Sequence, residues 1–131
     1  MTAATTTWGL GRRKTSVARV RILPGEGSFQ VNGKDYDQYF STTRDRRSAR
    51  SPLEDMEVAV TYNIVCKVNG GGSHGQADAV RLGLARALRT VQPDLMEPMR
   101  EQGLLTRDSR AKERKKYGRR GARRGFQWCK R

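Results

Sequence analysis

The residue types that could do chemistry gather in a glycine-rich loop, VNGGGSHGQA, which spans residues 68–77 and carries the only histidine of the chain, His74. Backbone amides in such a loop, joined to the positive end of a helix dipole, can hold a phosphate group. The phosphate could belong to a nucleotide in an enzyme or to the backbone of an RNA. The glycines could instead serve a turn with positive φ and close packing of a strand against a helix. All three interpretations stay open from the loop alone.

Other features of the sequence argue against an enzyme. The glycine spacing matches neither GxGxxG nor GxxxxGK[ST], so no nucleotide motif is met. General acid–base catalysis by His74 would need a positioned partner, and Asp78 is the only candidate nearby in the sequence. Paired carboxylates, a Ser–His–Asp pattern and a cluster of metal ligands are all absent from the sequence. We therefore expect a protein that is not an enzyme and uses no cofactor or metal.

The two cysteines, Cys66 and Cys129, lie far apart and form no CxxC pair. Neither a zinc site nor a disulfide framework is therefore expected. Cys66 falls in a predicted strand, where we expect a small buried apolar residue. Cys129 is surrounded by positive charges, which lower the pKa of a thiol, so its reactivity stays open.

The C-terminal arm, residues 107–131, is strongly basic. It holds twelve Lys and Arg against two acids, in a chain whose net charge is +14. Such a block repels itself and stays extended when alone. Its natural complement is a polyanion, and nucleic acid fits better than a membrane because the arm has no wide apolar face. Guanidinium groups bind phosphates, and aromatic rings at Tyr117, Phe126 and Trp128 can stack on bases. A DNA-binding tail and a solubilising disordered tail remain alternatives.

A second basic cluster precedes the first predicted strand. Residues 11–16 read GRRKTS, and Arg12, Arg13 and Lys14 would suit phosphates. The strand itself, residues 16–23, alternates so that Ala18, Val20 and Ile22 share one face and Arg19 and Arg21 the other. The sequence therefore predicts a half-buried strand with a basic outer face.

Hydrophobic periodicity predicts the remaining elements. Short strands are expected around Phe29 and Val31, with a tight turn at Asn32-Gly33, and over residues 57–68. We expect one or two helical turns in residues 35–40 and an irregular segment over 41–56, in which a helical turn can follow Pro52. The best helix spans residues 74–91, with an apolar stripe at every third or fourth residue, and Pro93 ends it. A shorter helix is expected between a cap at Asp94 and a stop at Gly103.

These elements predict an α+β domain, an α/β sandwich in which a small sheet is covered by helices on one face. We divide the chain into a flexible N-terminus (1–8), a globular RNA-binding domain (9–106) and the C-terminal arm (107–131). The sequence contains no apolar run of the length that a membrane span needs. The first residues lack the apolar stretch of a signal peptide, so we expect a soluble protein of a reducing compartment.

Several stretches together resemble one family. They are GRRKTSVARVRILPGEGSFQVNG, DQYF, VNGGGSHGQADAVRLGLARAL and GLLTRDSRAKERKKYGRRGARRGFQWCKR, in this order. Over roughly residues 9–131 the chain is similar to the family of the ninth protein of the small ribosomal subunit. The resemblance implies a four-stranded sheet packed against helices, a left-handed βαβ crossover and a long basic C-terminal extension.

The resemblance also implies a function and its partners. The protein would be a structural constituent of the small ribosomal subunit, in the cytoplasm or in an organelle with its own ribosomes. Its partners would be the large RNA of the subunit head, neighbouring proteins of the head and the peptidyl-site tRNA. The tRNA anticodon stem-loop would be contacted by Lys130 and Arg131. Residues expected to bind ribosomal RNA are Arg12, Arg13, Lys14, Arg19, Arg21, Gly71, Gly72, Ser73, His74, Gln76, Arg107, Arg110, Arg114, Lys115, Lys116, Tyr117, Arg119, Arg120, Arg123, Arg124, Phe126 and Trp128.

The sequence departs from the family pattern at three positions. Cys129 replaces a hydroxyl residue with a weaker hydrogen-bonding group. Gly121 stands where a Lys or Arg is common, which removes one phosphate contact. Asp78 places an acid where small residues are usual. The two terminal basic residues are intact.

Overall fold

Five strands form one sheet in the computed structural model, which describes residues 6–56, 62–111 and 113–125. The strands are β1 Thr7–Arg13, β2 Ser16–Pro24, β3 Phe29–Val31, β4 Lys34–Asp35 and β5 Tyr62–Asn69. Their order is β1-β2-β5-β3-β4, so β5 lies in the centre. Neighbours are antiparallel except β3 and β5, which are parallel.

Four α-helices accompany the sheet in the described residues. They are α1 Tyr36–Tyr39, α2 Thr43–Asp55, α3 Ser73–Val91 and α4 Met96–Glu101, with a 3-10 turn at Pro93–Leu95. None of these helices combines the length and the apolar run that crossing a bilayer requires. The predicted α+β class is confirmed by this mixture of one sheet and several helices.

The alternating strands behave as their sequences predict. In β2 the side chains of Ala18, Val20 and Ile22 are buried, and in β5 those of Ile64 and Cys66 are buried beside them. Burial raises the pKa of the Cys66 thiol to about 12, so this cysteine is a core residue rather than a nucleophile. Val58 and Val60 of the predicted strand lie outside the described residues.

The sheet has one strand more than the four implied by the resemblance. Strand β1 was missed because glycines at 9 and 11 have low strand propensity and interrupt the apolar alternation. Thr7 and Trp8, expected in a flexible N-terminus, belong to this strand and pair with Ile22 and Arg21. The segment expected as a basic cluster is therefore the end of β1 and its turn into β2.

The expectation of an irregular segment over residues 41–56 was wrong. Thr42 caps helix α2 by accepting a hydrogen bond from the Asp45 amide, and the helix continues through Pro52. The helix buries Asp45, Ala49, Pro52 and Leu53. A face with so few aliphatic residues gives a weak helical pattern, because most other positions are polar or charged.

A crossover connection joins the two parallel strands, β3 and β5. It runs through β4, α1 and α2, with residues 57–61 lying outside the described ranges. Asn32 and Gly33, with φ of 52° and 83°, form the predicted tight turn that starts it. The left hand of this crossover stays a prediction from the resemblance.

Helix α3 packs against one face of the sheet, mainly over strands β1 and β2. The predicted stripe is buried at Ala77, Val80, Leu84, Ala87 and Leu88. Gln92 caps the C-terminus of the helix and donates its backbone amide to the Leu88 carbonyl, and Pro93 follows it. The predicted helix and its end are confirmed.

Three glycines allow α3 and β1 to touch through their backbones. A Cβ added at Gly11 would lie 1.8 Å from the Ala79 carbonyl oxygen, and one at Gly9 would lie 2.1 Å from the Gly83 carbonyl oxygen. A Cβ at Gly83 would lie 2.8 Å from the side chain of Val20. Any side chain at these glycines would therefore force the helix away from the strand.

The last helix differs from its prediction at the start and agrees at the end. Asp94 lies inside the 3-10 turn rather than capping α4. Gly103, with φ of 73°, stops the helix, and the Leu104 amide bonds to the Met99 carbonyl across this turn. Leu104 and Met99 are both buried, so the body of the protein closes just before the C-terminal arm.

Gly11→Ala should destabilise the protein by at least about 3 kcal/mol, because the new methyl group meets backbone rather than a flexible side chain. The free energy of unfolding is measured by urea denaturation followed by circular dichroism at 222 nm. The control is Gly72→Ala, where a Cβ meets nothing within 4 Å. Its cost should stay at or below about 1 kcal/mol, the usual effect of Ala at a helix cap. Equal effects at both sites would contradict the close packing.

Candidate nucleic-acid interface

The face of the sheet that points away from α3 is basic. Strand alternation places Arg12, Arg19, Arg21 and Lys67 on the side away from the buried residues of β1, β2 and β5, and we call these four residues the basic sheet face. Arg19 pairs directly with Lys67 across β2 and β5. These three strands contain no acid. Like charges directly opposite each other destabilise a sheet, so an anion on this face would relieve their repulsion.

A shallow groove runs beside this pair of like charges. It has a volume of about 340 Å³, and Val17, Arg19, Lys67 and Asn69 are among the residues that line it. Arg12 is exposed on the neighbouring strand, opposite Val17. The basic sheet face therefore offers cations around a depression rather than on a flat surface.

The glycine loop follows directly after Asn69, at the end of β5 that borders this groove, and leads into α3. Gly70 and Gly71 adopt positive φ of 77° and 65°, and a Cβ at either would collide with Thr15 or Ser16. For these two glycines the structural interpretation, a turn with close packing, holds. Gly72 differs because a Cβ there would meet nothing within 4 Å.

The loop also borders a groove of about 620 Å³. Lys14, Gly72, Ser73 and His74 line it, together with Ala111 of the C-terminal arm. Gly72 caps α3 without any side-chain hydrogen bond to the first helical turn. Amides at this helix end, with Lys14 opposite, have the arrangement that suits an anion.

His74 has a partner other than the one suggested by sequence proximity. Its Nδ1 lies 2.5 Å from Oδ1 of Asp45, whose side chain is only 2% exposed, whereas Asp78 accepts a hydrogen bond from Ser48. Burial raises the pKa of Asp45, but hydrogen bonds with Thr42 and His74 outweigh it, so the pKa lies below its ordinary value. The arrangement links the first turns of α2 and α3.

Gln76, predicted to contact RNA, makes two hydrogen bonds within the protein. Its amide nitrogen donates to the Gly70 carbonyl at 3.0 Å, and its amide oxygen accepts from the Tyr39 hydroxyl at 2.7 Å. The side chain therefore shapes the glycine loop from within.

Arg13, also predicted to contact RNA, is held by partners within the protein. It is buried, with Nε 3.4 Å from an Asp78 oxygen and a terminal nitrogen 3.0 Å from an Asp108 oxygen. It also donates to the Arg110 carbonyl. Arg13 thus fastens the start of the C-terminal arm to β1 and α3, and its neighbour Arg12 faces the opposite side of the sheet.

Within the arm, two acids organise nearby cations. Hydrogen bonds from the side chain and backbone of Arg110 hold the pKa of Asp108 well below its usual range. Glu113 pairs with Arg123 at 2.7 Å and with Lys116 at 3.3 Å. Residues 119 and 125 form an isolated antiparallel bridge, which bends the described part of the arm back on itself.

The other predicted arm residues are mostly exposed. Tyr117 is 97% exposed and sits before Gly118, whose φ is 72°. The other exposed cations in the described part of the arm are Arg107, Arg114, Lys115, Arg119, Arg120 and Arg124. Phe126, Trp128, Cys129, Lys130 and Arg131 lie outside the described residues. Nowhere in the described ranges do three His, Cys, Asp or Glu side chains come close enough to hold a metal ion.

Sequence reasoning missed two residues of the sheet face that points away from α3, Trp8 and Lys67. Trp8 is 58% exposed and lies beside Arg21. Recognising β1 would have placed it, because Trp8, Leu10 and Arg12 share one face by strand alternation. Lys67 lies in a strand that the sequence predicts, but its pairing with Arg19 depends on the register.

Arg13→Ala should loosen the start of the arm, because it removes the ion pairs of Arg13 with Asp108 in the arm and with Asp78 in α3. A loss of about 1 kcal/mol raises the opened population roughly five-fold, and limited proteolysis follows that population. We expect trypsin to cleave after Arg107 and Arg110 about five times faster, as measured by mass spectrometry.

The matched control for this change is Arg12→Ala. It removes an arginine from the adjacent position but leaves the ion pairs intact, so cleavage of the arm should not accelerate. Asp108→Asn should accelerate cleavage as Arg13→Ala does while sparing the contact between Arg13 and Asp78. Identical cleavage rates in all four proteins would contradict the fastening role.

Asp45→Asn should lower stability by about 1–3 kcal/mol at pH 7, since it removes a buried hydrogen-bonded carboxylate. The pKa of Asp45 is lower in the folded chain than the unfolded value of about 4, so its contribution is complete above that value. The contribution disappears as pH falls through the folded pKa, and the difference from the parent should shrink in acid. Urea unfolding at pH 7 and pH 2.5 measures this, with the exposed Asp55→Asn as control. A cost undiminished in acid would refute the assignment.

Comparison with known proteins identifies the family. The family described as ribosomal protein S9/S16 matches residues 11–131. The small ribosomal subunit protein uS9 of Gloeothece citriformis is 53% identical over 125 residues, covering 95% of this chain and 91% of the relative. That of Cytophaga hutchinsonii is 53% identical over 122 residues, covering 93% and 95%. The protein uS9m of Arabidopsis thaliana is 49% identical over 124 residues, covering 95% of this chain and 29% of the longer plant protein. The chain therefore belongs to the ribosomal protein S9/S16 family.

Proposed function

We propose that the chain is a structural, non-catalytic constituent of the small ribosomal subunit that binds its structured RNA. The observation that carries the proposal is the basic sheet face, where Arg19 and Lys67 oppose each other on strands without an acid. A phosphate backbone lying on this face would stabilise it, because attraction to the phosphates would replace the repulsion between the like charges.

The C-terminal arm supplies the second part of the interface. Its start is fastened to the body through Arg13 and Asp108, and its exposed cations continue away from that point. Phosphate contacts by these cations would release counterions and make binding strongly dependent on salt. Tyr117, almost fully exposed, can stack on a base or sugar.

The groove at the glycine loop supplies a third contact. Lys14 and the first amides of α3 face the same space, which suits one phosphate of an RNA backbone. His74 and Ser73 line this groove and can hydrogen-bond to the same group. The glycine spacing still offers no nucleotide motif, so this contact is part of RNA binding rather than of an enzyme.

The partners follow from the family and from the relatives, which are small-subunit ribosomal proteins. We propose that the RNA is the large RNA of the subunit head and that neighbouring proteins of the head surround the body. Lys130 and Arg131 would reach the anticodon stem-loop of the peptidyl-site tRNA. The protein would act in ribosomes of the cytoplasm or of an organelle.

Replacing Arg114, Lys115 and Arg124 together by Gln should weaken binding to small-subunit RNA and reduce its salt dependence. Each lost phosphate contact removes roughly 0.7–0.9 from the slope of log affinity against log salt, so the slope should fall by about 2–3. Filter binding between 50 and 200 mM salt measures it. The control carries Lys34, Arg89 and Arg100 changed to Gln, which removes the same charge from exposed positions elsewhere.

Four further outcomes decide between functions. Deleting Lys130 and Arg131 should leave RNA affinity nearly unchanged and weaken peptidyl-site tRNA in reconstituted subunits. The proposal is contradicted if both triple variants lose the same slope, or if the purified chain binds ATP or GTP at micromolar concentration. Equal affinity for unrelated duplex DNA would favour a general nucleic-acid-binding protein instead.

A further inference from the structure

We propose that Trp8 is a stacking platform for an unpaired base of the bound RNA. The assignment rests on the RNA binding proposed above and goes beyond it by naming the residue and the state of the nucleotide. Trp8 sits on β1 beside the basic sheet face, on the side of the strand opposite Gly9 and Gly11, so its ring takes no part in the glycine contact with α3.

The ring of Trp8 is exposed but held in place. Trp8 is 58% exposed, although tryptophan is on average among the more buried residues. It is paired in register with Arg21, whose guanidinium carbon lies 5.8 Å from the ring centroid. This cation–π contact restrains the ring, so a base that stacks on it meets a partly organised surface.

Charge surrounds the ring on the same face. Leu10, two residues along β1 and 40% exposed, pairs with Arg19, which in turn pairs with Lys67. Alternate residues on a strand lie roughly 7 Å apart and neighbouring strands about 5 Å apart. A base on Trp8 therefore leaves its flanking phosphates within reach of Arg21 and Arg19.

The same arrangement favours RNA over a protein as the occupant. The exposed apolar residues Trp8 and Leu10 are each paired with an arginine rather than with another apolar side chain. A protein partner would have to desolvate these cations, whereas phosphates compensate them. Bases inside an A-form duplex are stacked and unavailable to a side chain, so the base must come from a loop, bulge or end.

The test uses the full chain with Trp128→Phe. The chain has two tryptophans, so this change leaves Trp8 as the single one. It is titrated with a twelve-nucleotide single-stranded RNA, the corresponding duplex and an abasic strand of equal length. We expect saturable quenching of the Trp8 emission by the single strand and little quenching by the duplex or the abasic strand. Filter binding reports affinity independently of fluorescence.

In the same background, Trp8→Leu should weaken single-strand binding roughly ten-fold, within the range measured for base–aromatic stacking. It should change binding of the abasic strand less than two-fold, and Trp8→Phe should retain most of the affinity. Met96→Ala, which alters an exposed apolar residue on α4, serves as the matched control and should change nothing. Circular dichroism checks that each variant is folded.

Each other outcome overturns one claim. If RNA binds but the Trp8 emission and the affinity of Trp8→Leu stay unchanged, the stacking role is wrong and the proposed function stands. If the abasic strand quenches equally, phosphates rather than a base occupy the site, and the inference fails. If Trp8 responds to a protein of the subunit and not to RNA, it also fails. If no ribosomal RNA binds, the proposed function itself is wrong.

Discussion

Helix α3 can lie against strand β1 only because Gly9, Gly11 and Gly83 let two backbones touch. This contact decides which face of the sheet is covered and which is open. It also brings the turn between β1 and β2, with Lys14, next to the glycine loop that starts the helix. The position of the interface is therefore set by residues that have no side chains of their own.

The acids of the chain are as informative as its cations. Asp45, Asp78, Asp108 and Glu113 each hold a histidine, arginine or lysine in a fixed place within the described residues. A strongly basic chain thus uses its few carboxylates to organise some of the cations for structure, while Arg19 on β2 and Lys67 on β5 have no acid partner among the described residues. Arg13 is one of the cations held by an acid, whereas its neighbour Arg12 lies on the basic sheet face, although the sequence predicts the same role for both.

Much of the body could be predicted from its sequence, because burial in strands and in α3 follows simple periods. Strand β2, the described part of β5, α3 and the turn at Asn32 agree with that reasoning. Strand β1 and helix α2 could not be found this way, since their buried positions are glycines, an acid and few aliphatic residues. The partner of His74 and the burial of Arg13 depend on contacts between distant segments, which no local pattern encodes.

The central place of β5 has a consequence for how the chain acquires its structure. Its pairing partners, β2 and β3, are made long before it, as the matches of Val20 and Phe29 with Cys66 and Ile64 show. The hairpins β1–β2 and β3–β4 can form early during synthesis, but the apolar side of the first hairpin stays exposed until β5 and α3 are made. Non-local pairing of this kind slows folding. A nascent chain would thus pass through a stage with an unfinished apolar sheet, before its basic end leaves the ribosome that makes it.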